Sequence, residues 1–108
     1  MYRIGWMADY PSALNFLQLF ASKNASPGQN RSNYSNPEYD ELYERAEIET
    51  DPAGRVELIR RMQEIVREDC PWVFVHFGCV HSLVGPGVEN YIPHDYSYGM
   101  EKHIRKTR

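Results

Sequence analysis

The sequence has few of the features that mark a membrane protein or a disulfide-bonded protein. No stretch approaches the roughly 18 consecutive apolar residues of a membrane-spanning helix. The 108 residues include only two cysteines, Cys70 and Cys79, and no Cys-x-x-Cys motif. A disulfide framework or a structural zinc site is therefore not indicated. We expect both cysteines to be small buried residues, Cys70 at a helix end and Cys79 in an apolar strand, with a bridge between them left open.

An excess of charge of one sign is also missing. The 12 Lys and Arg residues are scattered among 15 Asp and Glu residues, which gives a net charge of −3. The basic tail 103–108 is short, and such tails are usually solvated. A nucleic-acid partner is therefore not predicted. Apolar residues make up 42% and charged residues 25% of the chain, as in an ordinary globular domain.

Signatures of catalysis and metal binding are absent too. The sequence has no Gly-x-Ser-x-Gly, no glycine-rich phosphate loop and no His-Glu-x-x-His. His76 and His81 are five positions apart on a predicted strand, so their side chains point to opposite faces. Cys79 and His81 share a face, but two ligands make a poor metal site. The sequence therefore predicts neither an enzyme nor a metal or cofactor site.

Two helix starts are clear. Asn36 and Asp51 each precede a proline, which combines an N-cap residue with proline at the first helical position. Apolar residues then recur at helical spacing, and the two predicted faces consist of Tyr39, Leu42, Tyr43 and Ala46, and of Leu58, Met62, Ile65 and Val66. The pattern predicts helices over 37–50 and 52–69 that form a helical hairpin.

The other segments predict β structure and loops. Residues 2–7 are typical of a short strand, and residues 72–84 are apolar at nearly every position, as in a strand covered on both faces. We expect a helix over 12–20, a polar surface loop over 21–35 and a further short strand over 88–92. The predicted fold class is α+β, with the helical hairpin packed on a small mixed sheet that contains strands 2–7 and 72–84.

The acidic turn that follows the first predicted strand is the candidate binding site. Asp9 lies there between Trp6 and Tyr10. A carboxylate in this setting can hold an ammonium group while the aromatic rings limit its access to water. Two plainer readings stay open: Asp9 can bond its own backbone as a turn residue, and the two rings can serve core packing.

Four segments, in order and with their spacing retained, resemble the C-terminal region of bacterial extracellular solute-binding proteins of family 5, the oligopeptide, dipeptide and nickel-chelate group. They are Gly5-Trp6-Met7-Ala8-Asp9-Tyr10-Pro11 with Asn15-Phe16-Leu17, the stretch 30–46, the stretch 51–66, and Glu68-Asp69-Cys70-Pro71-Trp72-Val73. The resemblance covers residues 5 to about 84. Ser12-Ala13 departs from the Asp-Pro that often follows the acidic turn in the family.

The resemblance implies a two-lobed fold like that of periplasmic binding proteins. Residues 1–108 would be its C-terminal segment, with about 1–75 in the C-terminal lobe and about 76–108 crossing back toward the N-terminal lobe. It further implies a ligand site in which Asp9 pairs with the α-amino group of a peptide. Trp6, Met7 and Ala8 would bond the peptide main chain, beside Tyr10.

The function implied is that of the substrate-binding component of an ABC importer, which captures a peptide between its lobes and delivers it to a membrane permease. The location implied is periplasmic, or extracellular and membrane-anchored, although the chain opens without a signal-peptide pattern. Two alternatives stay open: a ligand-sensing module of a cytoplasmic regulator, and a receptor for a nickel chelate. We also expect the isolated chain to bind peptide weakly and to form homo-oligomers through residues 72–84.

Overall fold

The computed structural model of the chain describes residues 3–93 and 100–107. The chain divides into two compact units, Met1–Phe74 and Val75–Arg108. The first unit contains helices α1 (Leu14–Leu17), α2 (Pro37–Ile48) and α3 (Pro52–Asp69) and a 3-10 helix, Ser22–Asn24. The second contains strands β1 (Val88–Glu89) and β2 (Arg105–Lys106) and a 3-10 helix, Met100–His103. The division falls within a residue or so of the boundary implied by the resemblance, and the assignment of the two parts to lobes stays a prediction.

Helices α2 and α3 confirm the predicted hairpin, and α2 ends at Ile48 rather than near residue 50. The Asn36 side chain caps α2 by accepting hydrogen bonds from the backbone N–H groups of Glu38 at 3.0 Å and Tyr39 at 3.2 Å. Asp51 caps α3 by accepting from the Gly54 N–H at 2.7 Å. These caps satisfy backbone donors that have no partner inside the helix.

The predicted apolar faces form the core of the first unit. Tyr39, Ala46 and Met62 are all 0% exposed, and Leu42 is only partly buried at the edge. The remaining buried apolar residues of this cluster are Leu17, Leu19, Phe20, Ala21, Tyr43, Leu58, Ile65 and Val66. Burying each large apolar side chain contributes about 1.5–3 kcal/mol, so this cluster holds the hairpin and the α1 region together.

Helix α1 is shorter than the predicted helix over 12–20. Beyond Leu17 the backbone continues in tighter i→i+3 turns, in which the Leu19 N–H donates to the Phe16 carbonyl at 3.2 Å and the Phe20 N–H to the Leu17 carbonyl at 3.1 Å. The Tyr39 hydroxyl also donates to the Leu17 carbonyl, at 2.7 Å. The Gln18 Nε2 donates to the Asn15 carbonyl at 2.8 Å, and the Asn24 Nδ2 donates to the Gln18 carbonyl at 2.9 Å.

The loop over 21–35 is built around a buried asparagine. Asn30 is 0% exposed, and its Nδ2 donates to the carbonyl groups of Ala21 at 3.1 Å and Tyr34 at 2.8 Å. Its Oδ1 accepts from the Ser32 hydroxyl at 3.0 Å and the Tyr34 N–H at 3.3 Å. One side chain thus ties the two ends of the polar loop together.

The prediction of strands over 2–7 and 72–84 is wrong for the described residues. Residues 3–7 and 72–84 have no strand assignment, and Tyr2 lies outside the described residues. A strand needs a neighbour that pairs with its backbone groups, and nothing in the described chain supplies one to 72–84. Trp72 is partly buried against the core, with its ring centroid 4.8 Å from that of Phe20, but the apolar side chains from Val73 onward are exposed: Phe77 is 96% and Leu83 100% exposed.

The sheet that does form is two-stranded and antiparallel rather than mixed. Val88 pairs with Lys106 and Glu89 with Arg105, so the strand expected over 88–92 is reduced to two residues. Its partner lies in the basic tail, which sequence reasoning treated as solvated. Helices plus a small sheet agree with the α+β class, and both strands of the sheet belong to the second unit.

The expectation that both cysteines are buried is also wrong. Cys70 and Cys79 are both exposed free thiols. Cys70 follows the last residue of α3 in the left-handed conformation, with φ of 43°, and this turns it out of the helix. Cys79 lies in the exposed segment 73–84 and is exposed with it.

Candidate functional site

The acidic turn lies at the surface of the first unit. Ala8 is 8% exposed and packs inward, whereas Met7 is 73% and Tyr10 49% exposed. Asp9 is exposed between them. Trp6 is half-buried and packs against the hydrophobic core of the first unit. The turn therefore presents a carboxylate to solvent between the half-buried ring of Trp6 and the exposed ring of Tyr10.

A buried side chain from α1 connects the parts of this turn. Asn15 is 1% exposed, and its Oδ1 accepts hydrogen bonds from the Trp6 Nε1–H at 2.9 Å and the Asp9 backbone N–H at 3.3 Å. Its Nδ2 donates to the Asp9 Oδ2 at 3.4 Å. The three side chains form one hydrogen-bonded cluster, which we call the Trp6–Asp9–Asn15 cluster.

Sequence reasoning gave no role to Asn15. Asp9 does interact locally, as the plainer reading of a turn residue suggested, but through the Asn15 side chain. The available signal was a polar residue among the apolar residues of a short helix, six positions after an acid. A buried asparagine must find hydrogen-bond partners, and here it finds them in the indole of Trp6 and the carboxylate of Asp9.

Helix α1 packs against α2, and this contact fixes the position of Asn15 in the Trp6–Asp9–Asn15 cluster. The Tyr39 hydroxyl, which bonds the Leu17 carbonyl, lies in the core, and burial raises the pKa of this phenol well above its usual value. Asp40 accepts from the Ser22 N–H at 2.8 Å, which ties the chain just beyond α1 to the same helix. The helix that carries Asn15 is therefore held in place by packing and hydrogen bonds to α2.

The other predicted site residues lie along the chain on either side of Asp9. Trp6, Met7 and Ala8 have neither helix nor strand assignment. Among the backbone–backbone hydrogen bonds of residues 3–93 and 100–107, none involves these three residues. Their N–H and C=O groups are thus not committed to secondary structure. The role of these residues and of Tyr10 in binding a ligand stays a prediction.

Metal-binding and membrane-spanning features are absent from the same described ranges. No group of three or more His, Cys, Asp or Glu side chains there could hold a metal ion. The Cys79 Sγ lies 3.8 Å from the His81 Nε2, and the pair is exposed. None of the described helices is both long and apolar enough to span a membrane.

Comparison with known proteins gives several related sequences. Oligopeptide-binding protein OppA of Bacillus subtilis is 35% identical over 75 residues, which are 69% of this chain and 13% of that protein. Periplasmic oligopeptide-binding protein OppA of Haemophilus influenzae is 33% identical over 107 residues, which are 96% of this chain and 19% of that protein. Dipeptide-binding protein DppE of B. subtilis is 28% identical over 93 residues, 86% of this chain and 17% of that protein.

The chain spans less than a fifth of the length of each of these relatives. No family model matches the chain, and no solved structure matches it significantly. The relatives are named as binding proteins rather than enzymes, and the aligned stretches include most of this chain. The chain is therefore a homologue of the peptide-binding proteins of extracellular solute-binding family 5.

Proposed function

We propose that this chain is the C-terminal segment of a peptide receptor and supplies the anchor for the peptide's α-ammonium group. The receptor is the substrate-binding component of an ABC importer, located in the periplasm or anchored outside the cell, and it passes its ligand to a membrane permease. The names of the relatives, which bind oligopeptides and dipeptides, support this reading.

The observation that carries the proposal is the hydrogen bonding of the Asp9 carboxylate. Its Oδ2 faces the Asn15 amide, while no hydrogen bond to its Oδ1 is found within residues 3–93 and 100–107. An exposed carboxylate with one oxygen held by the protein and the other open can accept an N–H from an ammonium group. Such a charge-assisted hydrogen bond contributes about 1.5–3 kcal/mol.

The residues before Asp9 suit the main chain of a peptide. Because the backbone groups of Trp6, Met7 and Ala8 are not used in secondary structure, they can pair with an extended ligand as a neighbouring strand would. Main-chain pairing gives affinity without selecting particular side chains. An anchor for the terminal ammonium beside main-chain donors and acceptors is the chemistry that general peptide capture needs.

The proposal also explains why this segment is not expected to suffice alone. A ligand enclosed between two lobes takes hydrogen bonds from both, and closure about a hinge needs the second lobe. The Asp9 carboxylate of the isolated chain is open to water, where a single ion pair contributes little. We therefore expect tight binding only from the full-length receptor.

Substitution of Asp9 in the full-length receptor tests the proposal. Asp9→Asn keeps the shape of the side chain and removes its charge, so affinity for a free tripeptide should fall about tenfold or more, as a loss of about 1.5–3 kcal/mol implies. Titration calorimetry measures the affinity. The matched control is Glu44→Gln, which removes one negative charge from an exposed position on α2.

The control separates the site from the overall charge of the protein. We expect Glu44→Gln to bind the tripeptide as the parent does. Equal affinity of Asp9→Asn and the parent would refute the anchoring role, and an equal loss in both variants would show that only the net charge matters.

A further inference from the structure

We infer that Asn15 is the positioning residue of the ammonium anchor: it orients the Asp9 carboxylate so that one oxygen faces the ligand. This inference rests on the proposed function, since it assigns Asn15 a role in the same site. It is carried by the hydrogen bonds of the Asn15 side chain, which bonds the backbone and the carboxylate of Asp9 and the indole of Trp6 at once.

The chemistry of the partners fixes which way the Asn15 amide points. An indole N–H and a backbone N–H can only donate, and an ionised carboxylate can only accept. The amide oxygen must therefore face Trp6 and the Asp9 backbone, and the amide nitrogen must face the Asp9 carboxylate. Reversing the amide would bring N–H against N–H and oxygen against oxygen, so a single orientation serves all three hydrogen bonds.

The position of Asn15 makes it a rigid support rather than a mobile partner. Its side chain is 1% exposed, and its own carbonyl group accepts from the Gln18 Nε2 at 2.8 Å. Two residues further on, the Leu17 carbonyl is held by the buried hydroxyl of Tyr39. The amide that guides Asp9 is thus fixed by helix α1 and, through it, by the core.

Holding the Asp9 carboxylate in one orientation raises the affinity for the ligand, because less conformational entropy is then lost when the ligand binds. Immobilising a free side chain on binding weakens affinity, and a side chain that is already held avoids part of this cost. The two hydrogen bonds to Asp9, at 3.3 and 3.4 Å, are at the long end of hydrogen-bond distances, so we expect a modest effect. Loss of Asn15 should weaken binding of a free-amine peptide about three- to tenfold.

The test is a double-mutant cycle in the full-length receptor with Asp9→Asn, Asn15→Leu and the double variant. Leucine branches at the same carbon as asparagine, with bulkier methyl groups, and its side chain makes no hydrogen bonds. A free tripeptide and its N-acetylated form are titrated into each protein. We expect Asn15→Leu to weaken binding of the free peptide, to leave the acetylated peptide nearly unaffected, and to have no further effect when Asp9 is already asparagine.

A merely structural role gives a different pattern. If Asn15 only supports the fold, Asn15→Leu should weaken both peptides alike and do so equally with and without the Asp9 carboxylate, which would overturn the inference. The proposed function fails separately, through an Asp9→Asn variant that binds the free peptide as well as the parent does. If Asp9→Asn loses affinity for the free peptide while Asn15→Leu keeps it, the positioning role of Asn15 is refuted and the anchoring role of Asp9 stands.

A second measurement needs no substitution and stays decisive where Asn15→Leu does not fold. Three-bond NMR couplings report the χ1 angle of Asp9 in the unmodified 108-residue chain. A carboxylate held by Asn15 should occupy one predominant rotamer, whereas an exposed, unsupported aspartate averages over several. Averaged couplings at Asp9 would contradict the inference.

Discussion

The buried amide of Asn30 offers a sharp test of how the loop over 21–35 is held. Asn30→Asp replaces the amide nitrogen by an oxygen and changes nothing else in shape. In the parent that nitrogen donates to the carbonyl groups of Ala21 at 3.1 Å and Tyr34 at 2.8 Å. In the variant both carbonyl oxygens face another oxygen, while the hydrogen bonds donated by Ser32 and by the Tyr34 N–H can persist.

The magnitude follows from the two hydrogen bonds that the variant cannot make. The Tyr34 carbonyl loses its donor, and a buried acceptor without a donor costs about 1–3 kcal/mol. The Ala21 carbonyl keeps the hydrogen bond from the Asn24 N–H at 3.0 Å, so the loss of its second donor costs about 0.5–1.5 kcal/mol. Together these give about 1.5–4.5 kcal/mol at neutral pH, and since single domains are typically stable by only about 5–15 kcal/mol, this one-atom change should remove a large part of the stability.

Urea unfolding followed by far-ultraviolet circular dichroism measures this destabilisation, with Asn33→Asp as the matched control. Asn33 lies in the same loop, but it is exposed and its side-chain oxygen accepts from the Ser26 N–H at 2.9 Å. Aspartate keeps that acceptor, and the free energy of unfolding should change by less than about 0.5 kcal/mol. The same chemical change should therefore be severe at one position and mild at the other.

The pH dependence of stability gives an independent check that the buried carboxylate of Asn30→Asp causes the destabilisation. Burial raises the pKa of a carboxyl group placed at position 30 above its value in the unfolded chain, so the penalty is present at neutral pH and shrinks as the pH falls and the group takes up a proton. Asn30→Asp should thus gain stability relative to the parent on mild acidification. Losses of similar size in the two variants, or a penalty for Asn30→Asp that grows on acidification, would refute the reasoning.

Two further predictions concern alkaline pH and self-association. Burial raises the pKa of Tyr34 and of Tyr43 to about 12 and that of Tyr39 further; since all three exceed the unfolded value near 10, stability should be intact below pH 10 and fall above it. Alkaline titration should show tyrosinate absorbance rising together with loss of helix, and separate transitions would contradict this. The exposed segment 73–84 should drive concentration-dependent homo-oligomers that Phe77→Glu weakens, and light scattering that finds a strict monomer at all concentrations would exclude them.

The hairpin could be predicted from sequence because its determinants are local. Asn36 and Asp51 cap the helices with their own side chains, and the spacing of apolar residues alone decides which faces are buried. Pairs such as Tyr39 and Met62, both fully buried, follow from periodicity without knowledge of what covers them.

The exposed, unpaired state of residues 73–84 and the extent of α1 could not be predicted in this way. An apolar run indicates a covered strand only if a partner exists, and pairing depends on residues far away in the chain or outside it. Helix α1 gives way to i→i+3 turns after Leu17, where the side chains of Gln18, Asn24 and Tyr39 also bond carbonyl groups. Periodicity contains no information about these contacts.

Only part of the candidate site could be predicted from the sequence. Asp9 stood out because it is an acid between two aromatic residues. Asn15, although it belongs to the segment that carries the resemblance, received no role, because a polar residue in a short helix has many uses. That Asn15 is buried, and which groups it bonds, depends on how α1 packs on α2. This geometry emerges only from the three-dimensional arrangement.

The most direct test of the central claim compares two ligands on the unmodified full-length receptor. Calorimetric affinities are measured for one tripeptide with a free α-amino group and for the same tripeptide with that group acetylated. If Asp9 anchors the ammonium group, acetylation should weaken binding about tenfold or more, and the difference should vanish in Asp9→Asn. Equal affinities of the unmodified receptor for the two peptides would contradict the account.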